Sequence, residues 1–229
     1  IYGEEEIVCT RIAIKLFYLT KKFLLPFFDT PLSFLYFLRQ FFLTKLHRAM
    51  KAVIMAGGFG TRLRPLTYSI PKPMVPMMNK PMMQHIIELL RHHNINEMVA
   101  TLFYQPEIIT NYFGDGKKLD ISLNYVRAEA DYGTAGSVRN AAEYLNDRFI
   151  VISGDVLTDF DLTKAIQFHE EQKAKVTIVL TRVPNPLQFG VVITDDEGNI
   201  TRFLEKPSWG DVFSDTINTG IYIIEPDVL

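Results

Sequence analysis

Val53-Ile-Met-Ala-Gly-Gly-Phe-Gly-Thr-Arg-Leu-Arg-Pro-Leu-Thr67, followed by Ile70-Pro-Lys-Pro-Met74, is the stretch that decides how this chain folds. It opens on a short apolar run, Ala52 to Ala56, which predicts a buried strand. The run breaks into Gly57, Gly58 and Gly60, where the backbone can turn sharply and approach a ligand with no Cβ in the way. Amides of such a loop can form an anion-binding concavity. Arg62 and Arg64 follow at once, and Lys72 stands between two prolines that hold its segment extended. Fixed cations beside a glycine loop suit a polyphosphate. The stretch is not a P-loop, because no Gly-Lys-Ser/Thr closes it, and Leu63 stands where a dinucleotide fingerprint needs its third glycine. A glycine turn after a strand is by itself an ordinary structural feature. The added Thr-Arg-Leu-Arg-Pro and Pro-Lys-Pro carry the functional reading.

The 229 residues, 48% hydrophobic and 22% charged, suit a globular domain with a sizeable core. Lys and Arg number 24 against 26 Asp and Glu, and no block of one sign suggests a nucleic-acid groove. Phosphate binding is therefore expected to be local. The single cysteine, Cys9, excludes an internal disulfide framework and fits a reducing, cytoplasmic setting.

Residues 1–49 lack the alternation of strand and helix seen after them. The longest charge-free apolar stretch there, Leu32 to Leu38, is far short of the ~20 residues a membrane span needs. Glu4-Glu5-Glu6 stands where a signal peptide would be basic. Met50-Lys-Ala-Val-Ile looks like a protein start, so 1–49 is expected to be an extension, either upstream sequence translated in frame or an apolar helix over 32–46. From Met50 onward, helices are predicted over Met82–His93, Pro106–Phe113, Gly136–Leu145 and Thr163–Lys173, the last capped by Asp161. Strands are predicted over Met98–Phe103, Ser122–Val126, Phe149–Ser153, Val176–Thr181 and Thr219–Ile224. Gly190–Ile193 and Ile200–Leu204, flanking Asp195-Asp-Glu-Gly-Asn199, predict a hairpin. The alternation argues an α/β domain over 50–229 with a mostly parallel sheet covered on both faces.

Ile150-Val-Ile-Ser-Gly-Asp155 puts a carboxylate just past the end of a buried strand, the edge where open α/β sheets bind ligands. Such a carboxylate can hold Mg²⁺ or merely cap a turn. Gly133-Thr134-Ala-Gly136 opens a helix whose first amides favour polar or anionic partners. Glu129 is nearby and can meet base or ribose donors. Glu205 and Lys206 end a strand side by side, and strand alternation argues against a mere ion pair. Asn218-Thr-Gly-Ile-Tyr222 follows. His92 and His93 lack companion ligands, His169-Glu-Glu reads as a solvated helix face, and Met74, Met77, Met78, Met82 and Met83 read as packing.

In order and spacing these segments resemble the sugar-phosphate nucleotidyltransferases, which join an NTP to a sugar 1-phosphate. Glu129-Ala-Asp-Tyr-Gly-Thr-Ala-Gly136 and Pro186-Leu-Gln-Phe-Gly190 are most similar to bacterial mannose-1-phosphate guanylyltransferase-like members. The resemblance implies a GT-A-like, Rossmann-like mixed sheet, with GTP and mannose 1-phosphate as the expected substrates and Mg²⁺ as cofactor. UDP-, dTDP- or ADP-sugar synthesis and a non-catalytic, nucleotide-sugar-sensing subunit stay open. It implies catalytic roles for Arg62, Lys72 and Asp155, with Asp155 the metal ligand. Ala56, Gly57, Gly58, Gly60, Thr61, Glu129, Gly133 and Thr134 would bind the nucleotide. Gly190, Glu205, Lys206 and Asn218 would bind the sugar phosphate, with Lys206 its cation. Neither nucleic acid nor membrane is an expected partner, and a homo-oligomer is compatible. Family members take a second metal-binding carboxylate from beyond the last strand seen here, so the chain is expected to be a fragment, with Asp227 too close behind that strand for the role.

Overall fold

The computed structural model describes residues 50–130, 132–208, 210 and 214–229. The readings made for 1–49, the helix over 32–46 among them, lie outside the described residues. The strands are β1 (Lys51–Ala56), β2 (Pro76–Met77), β3 (Lys80–Pro81), β4 (Glu97–Leu102), β5 (Ser122–Arg127), β6 (Phe149–Ser153), β7 (Val176–Arg182), β8 (Gly190–Thr194), β9 (Ile200–Glu205) and β10 (Thr216–Ile224). The helices are α1 (Met82–His92), α2 (Pro106–Phe113), α3 (Gly133–Asn140) and α4 (Leu162–Gln172).

β1 is apolar at consecutive positions because both its faces are covered. Ala52, Val53 and Ile54 are fully buried. It lies between β4 and β6, parallel to both, and β5 continues the parallel set beyond β4. Because β4 and β5 lie to one side of β1 and β6 to the other, strand order reverses at β1. A crevice opens there outside the carboxyl ends of the strands.

The mixed sheet with helices on both faces is the expected architecture. Its parallel half ends at β6, and every pairing beyond it is antiparallel. The local reason at β8–β9 is the tight turn at Asp195–Asn199, where the Asn199 amide donates to Asp195 Oδ1 at 2.7 Å. A turn that short joins only antiparallel strands. β7 pairs along β10 from Thr216 to Ile224, with a bulge between Asn218 and Tyr222. On the remaining edge of β10, β6 pairs with Ile221–Ile224 and β8 with Ile217. The β8–β9 ribbon therefore starts where β6 ends.

Two cores flank the sheet. On one face Met83, Ile86, Ile87 and Leu90 of α1 lie against Ala52, Ile54, Ala100 and Ile152, with Ile109 of α2 and Ile166 of α4. Their i, i+3, i+4, i+7 spacing is the stripe read from the sequence, and each such burial stabilises by about 1.5–3 kcal/mol. On the other face Val138 of α3, Ala141 and Leu145 cover Val53, Val99, Phe149 and Val151. The helix expected over 136–145 instead starts at Gly133 and ends at Asn140, and a separate 3-10 turn follows over Ala142–Tyr144. The reason is a change of ladder, since the Ala141 amide bonds to Val138 and that of Tyr144 to Ala141, both i to i−3. Asp161 caps α4 as expected, its carboxylate accepting from the Lys164 amide at 3.1 Å.

Two expectations fail on burial. His169 is not on a solvated face: it is fully buried. Leu162, Ile166 and His169 form the inward stripe of α4. Its Nδ1 lies 2.8 Å from Thr177 Oγ1 and its Nε2 3.2 Å from Glu225 Oε1. Met77 and Met78 do not pack, being 42% and 89% exposed around the β2–β3 turn, whereas Met74 and Met83 are core residues.

Candidate active site

The glycine loop leaves β1 at the crevice. A Cβ built on Gly58 meets no atom within 4 Å, so its backbone is open to a ligand. Gly60 is left-handed, at φ 62°, and a Cβ there would come within 2.9 Å of Thr67 Cγ2 and 3.0 Å of Lys72 Cβ. Glycine is required on both counts. The Thr67 hydroxyl donates to the Gly60 carbonyl at 2.8 Å, closing the loop on itself. Thr67 is buried. The tyrosine hydroxyl of Tyr104 and the amide of Gln105, both just beyond β4, then hold the far end through the Tyr68 carbonyl, at 3.3 and 3.2 Å.

Lys72, at the start of the turn Lys72–Met74, forms an ion pair with Asp155. The Ser153 hydroxyl donates to the other carboxylate oxygen of Asp155 at 2.5 Å, which fixes the rotation of the group. The parallel pairing of β1 with β6 brings the two segments together, since Met55 and Ser153 are register partners at the ends of those strands.

A cleft of about 220 Å³ is lined by Ala56, Gly57, Gly58, Lys72, Gly133, Thr134 and Asp155, seven residues expected from the sequence. Gly60, Thr61, Arg62 and Glu129 are outside its lining. Gly60 shapes the loop from behind, while Thr61 and Arg62 are exposed on the turn Thr61–Leu63. Arg64 lies over the Tyr68 ring, 5.2 Å from its centroid. Ala128 and Ala130 line the cleft, and the exposed Glu129 between them does not. Met55, Thr101, Phe103, Ser137 and Ser153 complete much of the wall and were not among the site residues expected from the sequence. The only sequence mark of Thr101 is a polar residue near the end of an apolar strand.

The four residues expected to meet the sugar phosphate form a separate group on β8, β9 and β10. Gly190 is the register partner of Glu205, and Ile217 pairs with Val191, which brings Asn218 to the next rung beside Gly190. Asn218 spans the β10 bulge: its Oδ1 accepts from the Gly220 amide at 2.9 Å and its Nδ2 donates to the Tyr222 hydroxyl at 2.7 Å. The expectation that Glu205 and Lys206 diverge fails. Lys206 lies just past β9 with φ 43°, so strand alternation stops there. Its Nζ is 3.7 Å from Glu205 Oε1, with both side chains more than half exposed. Asp227 lies beyond the far end of β10, paired with Lys175 and away from Asp155, as its position behind the strand implied.

An open α/β sheet here holds a cation, a carboxylate and a glycine loop at its switch point, the edge where such sheets bind ligands. The chain belongs to the Nucleotidyl transferase family, whose model matches residues 51–229. It is 41% identical over 194 residues to the UTP–glucose-1-phosphate uridylyltransferase of Synechocystis sp., covering 79% of this chain and 50% of that protein. It is also 41% identical over 179 residues to the mannose-1-phosphate guanylyltransferase of Mycobacterium tuberculosis, covering 78% and 49%. The chain thus spans about half the length of the curated relatives it matches. Among solved structures, HddC from Yersinia pseudotuberculosis complexed with GMP-PN matches with a TM-score of 0.67 and 27% identity, over 78% of each chain. No helix among the described residues is long and apolar enough to cross a membrane.

Proposed function

We propose that this chain carries the reaction site of a sugar-1-phosphate nucleotidyltransferase. A sugar 1-phosphate oxygen attacks the α-phosphorus of an NTP, and pyrophosphate leaves. The observation that carries the reading is the Lys72–Asp155 pair beside the glycine loop, whose Gly58 backbone is open, at the strand-order switch. Cation, carboxylate and unhindered amides meet at one edge, as phosphoryl transfer requires.

No protein nucleophile is needed, because a phosphate monoester is already anionic at neutral pH. Positioning and charge stabilisation supply the rate. The Gly57 and Gly58 backbone meets the nucleotide. Lys72 exchanges the Asp155 carboxylate for a phosphate oxygen, and Arg62 adds positive charge from the loop rim. Lys206 holds the attacking phosphate as a point charge, Glu205 accepts from sugar hydroxyls, and Gly190 and Asn218 shape that end.

Mg²⁺ is typically held by one or two carboxylates plus substrate phosphates and water. Among the described residues no group of three or more His, Cys, Asp or Glu could hold a metal. A single carboxylate, oriented by Ser153, fits that sparse arrangement. Asp155 would hold the ion, which when bound neutralises charge on the reacting phosphate.

GTP and mannose 1-phosphate are the first substrates to test, on the sequence likeness and the Mycobacterium relative. UTP and glucose 1-phosphate are the second, on the Synechocystis relative of equal identity. A cytoplasmic location and a homo-oligomer belong to the same reading. The test crosses GTP, UTP, dTTP and ATP with several sugar 1-phosphates and reads pyrophosphate release with Mg²⁺ or EDTA. Release that needs NTP, sugar 1-phosphate and metal together is expected. NTP hydrolysis without sugar phosphate overturns the transferase reading, and full turnover in EDTA overturns the metal role.

A further inference from the structure

Val126, Thr101, Met55 and Ser153 form one row across β5, β4, β1 and β6, the last full rung before the cleft. Thr101 is 3% exposed and lines the cleft. Its Oγ1 is buried without a hydrogen-bond partner among the described residues. β4 is bonded to β1 on one edge and β5 on the other, so the strand backbone around Thr101 is committed to its ladders. A buried hydroxyl left unpaired is costly, and valine would fill the same volume without that cost. The position is therefore built for a partner that the cleft receives.

The place of Thr101 indicates what that partner is. Lys72 and Asp155 mark the phosphate end of the cleft beside β6. Thr101 stands two strands away, about 10 Å along the rung at the usual strand spacing. A nucleotide spans that gap from its phosphate to its base. Thr134 and Ser137, from the start of α3, line the same cleft. The helix lies over the sheet face that holds Val99, and strand alternation turns Thr101 to that face.

Resting on the proposed function, we infer that the Thr101 hydroxyl hydrogen-bonds the edge of the nucleobase and is a specificity-determining residue of the site. A hydroxyl donates and accepts, so it can meet either a ring carbonyl or a ring nitrogen.

The test measures binding rather than turnover, on the complete chain with Mg²⁺. Dissociation constants of GTP, UTP, dTTP, ATP and inorganic tripolyphosphate are determined by calorimetry for wild type, Thr101→Val and Thr101→Ser. Melting temperatures are recorded without ligand. Valine should weaken the preferred nucleotide about three- to tenfold, the loss of one neutral hydrogen bond. It should leave tripolyphosphate unchanged and the melting temperature equal or higher, and serine should restore binding. Nucleotide constants indistinguishable from wild type overturn the inference. Equal weakening of tripolyphosphate also overturns it, since the hydroxyl would then serve the phosphates. A lowered melting temperature overturns it too, since the hydroxyl would then serve the fold. If wild type binds none of the four nucleotides, the proposed function itself falls and this inference with it.

Discussion

The hydroxyl of Thr67 reaches back seven residues to the carbonyl of Gly60, at 2.8 Å, while its own carbonyl receives the Tyr104 hydroxyl at 3.3 Å. The conformation of the glycine loop thus depends on a buried side chain that is not itself part of the cleft lining. Phe59, between Gly58 and Gly60, adds a second tie by meeting the Phe103 ring edge-on at 5.4 Å. The loop is positioned as a unit by the segment that follows β4.

Thr67→Val keeps the shape of the side chain and removes the donor. The Gly60 carbonyl keeps the Leu63 amide at 2.9 Å and loses only its second donor, so a stability loss of about 0.5–1.5 kcal/mol is expected. Displacement of the loop should lower kcat/KM roughly ten- to a hundredfold. Thr67→Ser keeps the hydroxyl and should retain most of both. Urea unfolding and steady-state kinetics on the pair check this. Activity unchanged in the valine variant would show that the loop holds its shape without this bond.

A second prediction concerns acid stability. Burial holds the His169 imidazole below the ordinary histidine value of 6.5, with Arg148 adding to the effect and Glu225 and Glu170 opposing it. Burial also pushes the Glu225 carboxyl up, but hydrogen bonds from Arg148 and His169 outweigh it and hold the group below the ordinary 4.5. In both cases the unfolded chain binds more protons, so stability rises with pH across each window. The histidine contribution is present above pH 6.5 and is lost as pH falls below it through the depressed value. The glutamate contribution is present above 4.5 and is lost further down. Unfolding free energies measured between pH 8 and pH 5 should therefore fall toward acid. His169→Gln should flatten that slope while costing stability at pH 8. An unchanged slope would locate the proton uptake elsewhere.

The fold was legible because each decisive element carried a local pattern. The apolar run at 52–56, the stripe of Met83, Ile86, Ile87 and Leu90, and the hairpin around Asp195–Asn199 required no knowledge of distant residues. Ala56, Gly57, Gly58 and Asp155 were legible for the same reason, since a glycine loop after a strand and an aspartate at a strand end mark the same edge, whereas Lys72, Gly133 and Thr134 drew on the family resemblance. What failed depended on tertiary placement. Glu129 is exposed between two lining alanines and is not itself part of the lining, which periodicity alone could not assign. Lys206 escapes strand alternation through its left-handed backbone, and so meets Glu205 after all. His169 looked solvated beside Glu170 and Glu171, although its spacing from Leu162 and Ile166 already placed it inward. Thr101 and Ser153 gave no signal beyond a small hydroxyl near the end of an apolar strand. Their importance appears only when four strands bring one rung together.

Asp155→Asn tests the carboxylate without altering its volume. The Asp155–Lys72 pair is partly exposed, so its loss should change stability by no more than about 1 kcal/mol. Turnover, in contrast, should fall by a factor on the order of a hundred or more, and raising Mg²⁺ should recover part of it. Metal titrations of the two proteins compare the half-saturating concentrations. A variant with normal turnover and unshifted Mg²⁺ dependence would remove Asp155 from the metal role.

Lys72 and Lys206 are predicted to serve different substrates, and their surroundings explain why. Lys72 is held between prolines on the cleft wall and paired with Asp155, at the end where the glycine loop offers its amides. Lys206 lies outside that wall, beyond β9, paired only loosely with Glu205 at 3.7 Å. That exposed pair contributes little to stability, about 0–1 kcal/mol at most, so Lys206→Ala should fold as wild type does. Losing a charge-assisted hydrogen bond costs about 1.5–3 kcal/mol, or roughly ten- to a hundredfold in an equilibrium constant. Lys72→Ala should therefore weaken NTP binding by that factor and leave the KM for sugar 1-phosphate nearly unchanged. Lys206→Ala should do the reverse. Initial rates with each substrate varied at saturating levels of the other separate the two effects. If both variants raise the same KM, the two lysines share one phosphate, and the division of the site between the glycine-loop cleft and the β8–β9–β10 group is wrong.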